Sequence, residues 1–153
     1  MFLIQLIYAS RVKPGFGPQD VEQILAVACS KNAKLGITGL LCFNGDNFLQ
    51  CLEGGRAAVN ELYHHIINDP WHHQVLLLRY TDIVKRDFEN WAMGYMGLTA
   101  ENKEILLRFS TQPMFDPFKM RASQKVGWAE YMKSSSLILF VFLCSAQPAT
   151  RLL

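Results

Sequence analysis

Apolar residues fill nearly every position of Phe2-Leu-Ile-Gln-Leu-Ile-Tyr8, which predicts a central strand covered on both faces. Gly15, Gly17 and the flanking prolines make a loop. From Pro18 to Asn32 the apolar positions Val21, Ile24, Leu25 and Ala28 recur at helical spacing, and Gly36 ends that helix. Ile37 to Phe43 reads as a strand, Asn44-Gly-Asp-Asn47 as a tight turn and Phe48 to Leu52 as the hairpin partner. After Glu53-Gly-Gly55 a second amphipathic helix runs from about Arg56 to Asn68, with Val59, Leu62, Tyr63 and Ile66 on one side, and Asp69-Pro70 stops it. Val75 to Tyr80 is a fourth strand and Trp91 to Leu98 a fifth, entered from the charged turn at Lys85-Arg-Asp87. This β-α-β-β-α-β order with one extra strand predicts an α+β, ferredoxin-like sandwich with two helices on one sheet face. Glu101–Phe109 and about Pro117–Met132 are expected as C-terminal helices, the latter with Trp128, Tyr131 and Met132 as its core face. Ser134-Ser-Ser136 reads as a short linker.

The 153-residue length suits one domain. An apolar fraction of 50% against a charged fraction of 18% leaves apolar surface to be hidden under a ligand or another subunit. The formal charge is only +2, with Lys and Arg scattered, so nothing points to nucleic acid. Cys29, Cys42, Cys51 and Cys144 form no C-x-x-C pair and are expected as reduced core thiols of a cytoplasmic protein. No basic stretch precedes the first apolar residues, so a signal peptide is not expected. The run Leu137–Cys144 is far short of the roughly 20 residues a membrane span needs. It reads as a buried strand, a docked helix face, an intersubunit contact or a disordered tail.

The candidate chemistry lies where polar residues interrupt apolar patterns. Tyr8 ends an apolar strand, and Gln50 sits inside Phe48-Leu-Gln-Cys-Leu52. Strands 1 and 3 neighbour each other in a ferredoxin-like sheet, so both side chains can point at the helix-covered face. Ile24, Ala28 and Asn32 share one face of the first helix, where the small Ala28 leaves space and Asn32 offers an acceptor and two donors. On the second helix, Ile66 continues an apolar wall, with His65 and Asp69 one turn apart beside it. Together these make a slot for a flat heterocycle with an imide edge; an ordinary two-layer core with a structural Tyr–Gln bond is the plainer alternative. No metal site is expected, because the adjacent histidines of His64-His65 and His72-His73 cannot both face one site on a helix. Glu53 has no carboxylate partner for acid–base work, and Gly15-x-Gly17 is not a phosphate loop.

At these residues the chain resembles the BLUF photoreceptors, blue-light sensors using FAD, especially their short stand-alone members. The resemblance rests on Leu6-Ile-Tyr8-Ala-Ser10, Asn32 with Gly36-Ile-Thr-Gly39-Leu-Leu-Cys42, Phe48-Leu-Gln50-Cys-Leu-Glu-Gly54, Asp69-Pro-Trp-His-His73 and Asn90-Trp91-Ala-Met93. It implies that Tyr8 is a redox-active phenol and Gln50 the amide between it and flavin N5/O4. Asn32 would hold the imide edge, Ile24 and Ile66 would sandwich the ring over Ala28, and Asp69 would border the site. Trp91 and Met93 would relay the change at Gln50 outward. His65 stands where many relatives have Arg, and Lys31 where some have Asn; Lys31 would then meet phosphate oxygens. Light would drive electron and proton transfer from Tyr8 through Gln50, whose rearranged hydrogen bond to the flavin red-shifts its spectrum without net catalysis.

The expected layout is therefore a flavin-binding core at residues 1–98, a helical extension at 99–133, and at 134–153 a linker and apolar tail, disordered or in an oligomer contact. FAD is the expected cofactor, with FMN as the alternative. The partner is an unidentified downstream protein, with a homo-oligomer expected and no nucleic acid or membrane span. The rival readings are a small hydrolase of the acylphosphatase type, which would need Arg11 in an anion-binding loop, and a non-catalytic interaction module.

Overall fold

The computed structural model describes residues 2–97, 100–110, 113–121, 123–124, 127–128, 131–132 and 142–145. The elements in chain order are β1 (Leu3–Val12), α1 (Pro18–Leu35), β2 (Thr38–Phe43), β3 (Asn47–Gly55), α2 (Arg56–Ile67), β4 (His72–Ile83), β5 (Trp91–Met96), α3 (Ala100–Leu107), a 3₁₀ turn (Pro117–Lys119) and β6 (Phe142–Ser145). The strands form one sheet in the order β4-β1-β3-β2-β5-β6. Pairing is antiparallel throughout except between β2 and β5. The ferredoxin-like order read from the sequence is present, with β5 added beside β2.

Local chemistry explains the element ends. Pro18 opens α1 with its φ already suited to a helix, and the Asp20 side chain accepts from the Gly17 amide at 2.8 Å. Gly36 ends α1 at φ 64°, a conformation that penalises other residues. In the β2–β3 turn the Asn44 side chain accepts from the amides of Asp46 and Asn47 at 3.1 and 2.7 Å. On β2 a Cβ at Gly39 would stand 2.0 Å from the Cys51 carbonyl oxygen, so only glycine lets β2 and β3 approach there.

Strand alternation divides the apolar residues between two cores. On one face Ile4, Leu6, Tyr8, Leu41, Phe48, Leu52 and Met93 pack under Val21 and Leu25 of α1 and Val59 of α2. On the other face Ile7, Ala9, Leu40, Cys42, Leu49 and Cys51 pack with Ile105 and Leu106 of α3, Trp128 and Met132. Coverage on both sides is why β1 reads as an apolar run interrupted only by Gln5 before Tyr8.

Several boundaries differ from the sequence expectation. β4 extends well beyond Val75–Tyr80 because the edge strand keeps pairing with β1 along its whole length. Pro117–Lys119 forms a single 3₁₀ turn, capped by Asp116 accepting from the Phe118 amide, rather than the start of a continuous helix. The described residues between 123 and 132 are helical. Of the apolar run at 137–144, residues 142–144 are described and form β6 with Ser145, with Cys144 opposite Met93. The expected linker at 134–136 lies outside the described residues. Cys42 and Cys51 are free and buried, whereas Cys29 is disulfide-bonded, which corrects the expectation of reduced thiols.

Candidate functional site

Between α1, α2 and the sheet lies a slot of about 190 Å³. Its floor carries Tyr8 of β1, Gln50 of β3 and Met93 of β5. Tyr8 and Gln50 are direct partners in the β1–β3 ladder, so residues 42 apart in sequence share one rung and one face. The Tyr8 hydroxyl donates to Gln50 Oε1, and Gln50 Nε2 lies 3.4 Å from Met93 Sδ. A continuous polar line thus crosses the floor of an apolar slot.

The helices supply the walls. Ile24, Ala28, Lys31 and Asn32 line it from α1, as their helical spacing requires. His65 and Ile66 line it from α2, and Asp69 follows that helix into its rim. Asn32 is buried, and its Nδ2 donates to the Ala92 carbonyl at 3.0 Å, which ties α1 to β5. Its Oδ1 is buried with no hydrogen-bond partner among the described residues. An orphaned acceptor costs about 1–3 kcal/mol, so a donor arriving in the slot would be held. A flavin's imide N–H is such a donor, and these residues fit that group. His65 and Lys31 are exposed at the mouth, His65 lying 3.9 Å from Glu61.

Burial sets the protonation states. The Tyr8 phenol is raised far above its ordinary value, chiefly by desolvation, with Tyr63 and Asp69 adding to it. It stays a neutral donor across the physiological range. His72 is lowered by burial, partly opposed by Asp69, so the neutral imidazole is favoured.

Every sequence-derived cofactor residue lines this slot; the relay pair does not stay together. Met93 faces the slot, whereas Trp91 stacks on Phe88 at 5.5 Å and packs with the opposite core. A register shift along β6 between Trp91 and Met93 accompanies that split. Val27, Leu41, Phe48 and His72 also line the slot and were not assigned to it from the sequence. His72 was readable only as a member of a strand rather than a helix. Its Nδ1 lies 2.7 Å from Ser10 Oγ, while the adjacent His73 lines a separate cavity. Arg11 lies within β1 and is committed to Asn47, Gln74 and Asp116, at 3.2, 3.0 and 3.9 Å, so it forms no open anion cradle after that strand.

Comparison with known proteins gives this geometry a family. The family model for sensors of blue light using FAD (BLUF) matches residues 3–94. The blue light- and temperature-regulated antirepressor BluF of Escherichia coli K12 is 30% identical over 114 residues, covering 74% of this chain and 27% of that protein. The chain therefore spans about a quarter of that curated relative's length. The dark-state structure of the BLUF protein BlrB superposes with a TM-score of 0.73 at 29% identity, covering 86% of this chain and 96% of that one. Klebsiella pneumoniae BlrP1 with FMN and cyclic diGMP gives 0.61 at 39% identity, covering 72% and 31%.

Proposed function

We propose, because this chain belongs to the BLUF family of blue-light sensors using FAD, that its slot binds a flavin and that Tyr8 and Gln50 report the flavin's light response to a partner protein. The observation carrying the assignment of residues is the Tyr8–Gln50–Met93 line beneath the orphaned Asn32 Oδ1. Asn32 would accept from the imide edge while its amide stays anchored to Ala92. Ile24 and Ile66 would flank the ring, with Ala28 leaving room for it. Lys31, His65 and Asp69 would meet the ribityl-phosphate tail at the mouth. FAD is favoured by the family; BlrP1 with FMN makes FMN the alternative.

When bound, the flavin supplies blue-light absorption and an electron acceptor. Tyr8 is suited to donate an electron because its phenol is buried and neutral, and its proton already points along the bond to Gln50. Loss of an electron makes a phenol strongly acidic, so the proton moves toward the Gln50 amide. As the electron and the proton return to Tyr8, Gln50 would be left with donor and acceptor exchanged at its two ends by rotation or tautomerisation, which would alter its contact with Met93 and hence β5. Nothing is consumed, so we assign no enzymatic reaction. Output would pass from a cytoplasmic homo-oligomer to a downstream protein, with Trp91 carrying the change on the opposite face. No helix among the described residues is long and apolar enough to cross a membrane.

Purified protein should carry flavin and show a reversible red shift of its absorption under blue light. Chromatography of the heat-released supernatant identifies the flavin. Protein that is colourless and takes up neither FAD nor FMN would refute the reading.

A further inference from the structure

We propose that Tyr63 is a second oxidisable phenol, one that takes the electron hole from Tyr8 and holds it nearer the surface of α2. The proposal rests on the flavin reading above and adds to it a residue outside the Tyr8–Gln50–Met93 line. Tyr63 stands on α2, half-buried against the core face that carries Tyr8. The two rings lie 5.6 Å apart between centroids and 54° apart between planes, within the range of paired aromatic side chains. Contact at that distance suits direct transfer of an electron from ring to ring.

The other ring beside Tyr8 belongs to His72, at 6.2 Å, and a neutral imidazole is harder to oxidise than a phenol. Beyond His72 the rings of Phe48 and Phe16 follow at 4.9 and 5.3 Å before Trp71 is reached, and plain benzene rings are harder still. Among the described residues, Tyr63 is therefore the oxidisable ring in contact with Tyr8. Solvation gives the transfer its direction. Removing an electron from a phenol leaves a cation unless the proton departs, and a cation is costly to bury. Tyr8 is fully buried, and its proton acceptor is Gln50 Oε1, an amide oxygen and a weak base. The half-buried Tyr63 can release its proton to water.

The step balances in electrons and protons. Light moves one electron from Tyr8 to the flavin and the Tyr8 proton toward Gln50. One electron then passes from the Tyr63 ring to the Tyr8 ring, the Tyr63 hydroxyl proton passes to water, and Tyr8 recovers a proton along its bond to Gln50. Tyr8 is a phenol again, Tyr63 is a neutral phenoxyl radical, one electron stays in the slot and one proton is in solvent. Return of that electron with a proton to Tyr63 closes the cycle, and nothing is consumed. Tyr8 and Gln50 thus complete their rearrangement while the oxidising equivalent sits apart from them.

The test illuminates flavin-loaded protein in the presence of the spin trap 2-methyl-2-nitrosopropane and maps the covalent adduct by mass spectrometry of the digested chain. The parent should carry a light-dependent adduct on Tyr63. Tyr8→Phe should lose most of the adduct on the intact Tyr63, because the hole arrives through Tyr8; a ring that merely packs against Tyr8 would show no such dependence. Tyr63→Phe should keep its flavin and its red shift, because Tyr8 and Gln50 are untouched. No adduct on Tyr63 in the parent, equal adduct in the dark, or a full yield on Tyr63 in Tyr8→Phe would overturn the proposal. Loss of the red shift in flavin-bound Tyr63→Phe would overturn it too, since Tyr63 would then belong to the Tyr8–Gln50 step itself. A parent protein that binds no flavin fails the underlying reading instead, and its absorption spectrum reports that before any trap is added.

Discussion

Replacing Tyr8 by Phe removes one oxygen atom from the centre of the slot floor and nothing else. The side chain is fully buried, and its ring packs at 5.6 Å from Tyr63, a contact that Phe keeps. No cavity opens, so the 3–5 kcal/mol expected for truncating a buried aromatic to Ala does not apply. What changes is Gln50, whose Oε1 loses its donor while the residue remains buried. An acceptor stranded in this way costs about 1–3 kcal/mol. At roughly 2–4 °C per kcal/mol for a chain of this size, the melting temperature should fall by about 2–12 °C. Adding Gln50→Leu should recover much of that loss, because removing both partners leaves nothing unpaired. The optical consequence is larger than the energetic one. Tyr8→Phe should bind flavin and lose the reversible red shift, since the ring left behind is not readily oxidised. Difference spectra through dark recovery, alongside urea melts of the two single variants and the double variant, read both effects. A normal red shift in Tyr8→Phe would remove the phenol from the mechanism. A double variant no more stable than the worse single would show that Oε1 was not stranded.

Asn32→Ala should weaken flavin binding by about 1–3 kcal/mol, or roughly 5- to 150-fold, read by equilibrium dialysis; unchanged affinity would remove Asn32 from the imide edge. Gly39→Ala should destabilise by about 3 kcal/mol or more in urea melts, because its Cβ meets the Cys51 backbone carbonyl rather than a side chain that can move. His72 gives a pH signature. Its folded value lies below the ordinary 6.5, so the folded protein refuses a proton that the unfolded chain accepts. Its contribution is therefore complete above pH 6.5 and is lost as pH falls below it, by up to about 1.36 kcal/mol per pH unit. Comparing His72→Gln with the parent between pH 7 and 5 isolates that slope from the carboxylates common to both, and parallel curves would contradict it.

The legible parts of this molecule are those governed by short-range pattern. Helical spacing put Ile24, Ala28 and Asn32 on one face, and all three line the slot. Hairpin chemistry at Asn44–Asn47 set the β2–β3 pairing. The Tyr8–Gln50 pairing needed only the ferredoxin-like strand order and the period of two. What escaped depends on long-range geometry. Whether Trp91 or Met93 faces the slot turns on the irregular start of β5, which no periodicity encodes. The addition of β6 beside β5 joins two segments some 50 residues apart. His72 and His73 were weighed as helix neighbours, yet they lie on a strand whose alternation sends one to each sheet face.

A buried carboxylate supplies the remaining constraint on β5. Glu53, three residues beyond Gln50 on β3, accepts from the amides of Asp87 and Phe88 at 3.0 Å and from Gln5 Nε2 at 2.9 Å. Burial raises its pKa while those bonds oppose the rise, so the donors exist to hold the charged form. Arg86 in the same loop donates to Gly36 O, Thr38 Oγ1 and Glu53 O, fastening it to the end of α1 and the edges of β2 and β3. The loop entering β5 is thereby fixed at one end, and Asn32 fixes Ala92 just beyond it. Between those anchors and the parallel pairing to β2, Met93 has little freedom to follow Gln50 by itself. Under the proposed reading, a change at Gln50 must therefore move β5 as a strand or rotate the Met93 side chain within it. The two differ in an observable way: strand motion alters amide exchange along β5 and its neighbour β6 on illumination, whereas side-chain rotation leaves both unchanged.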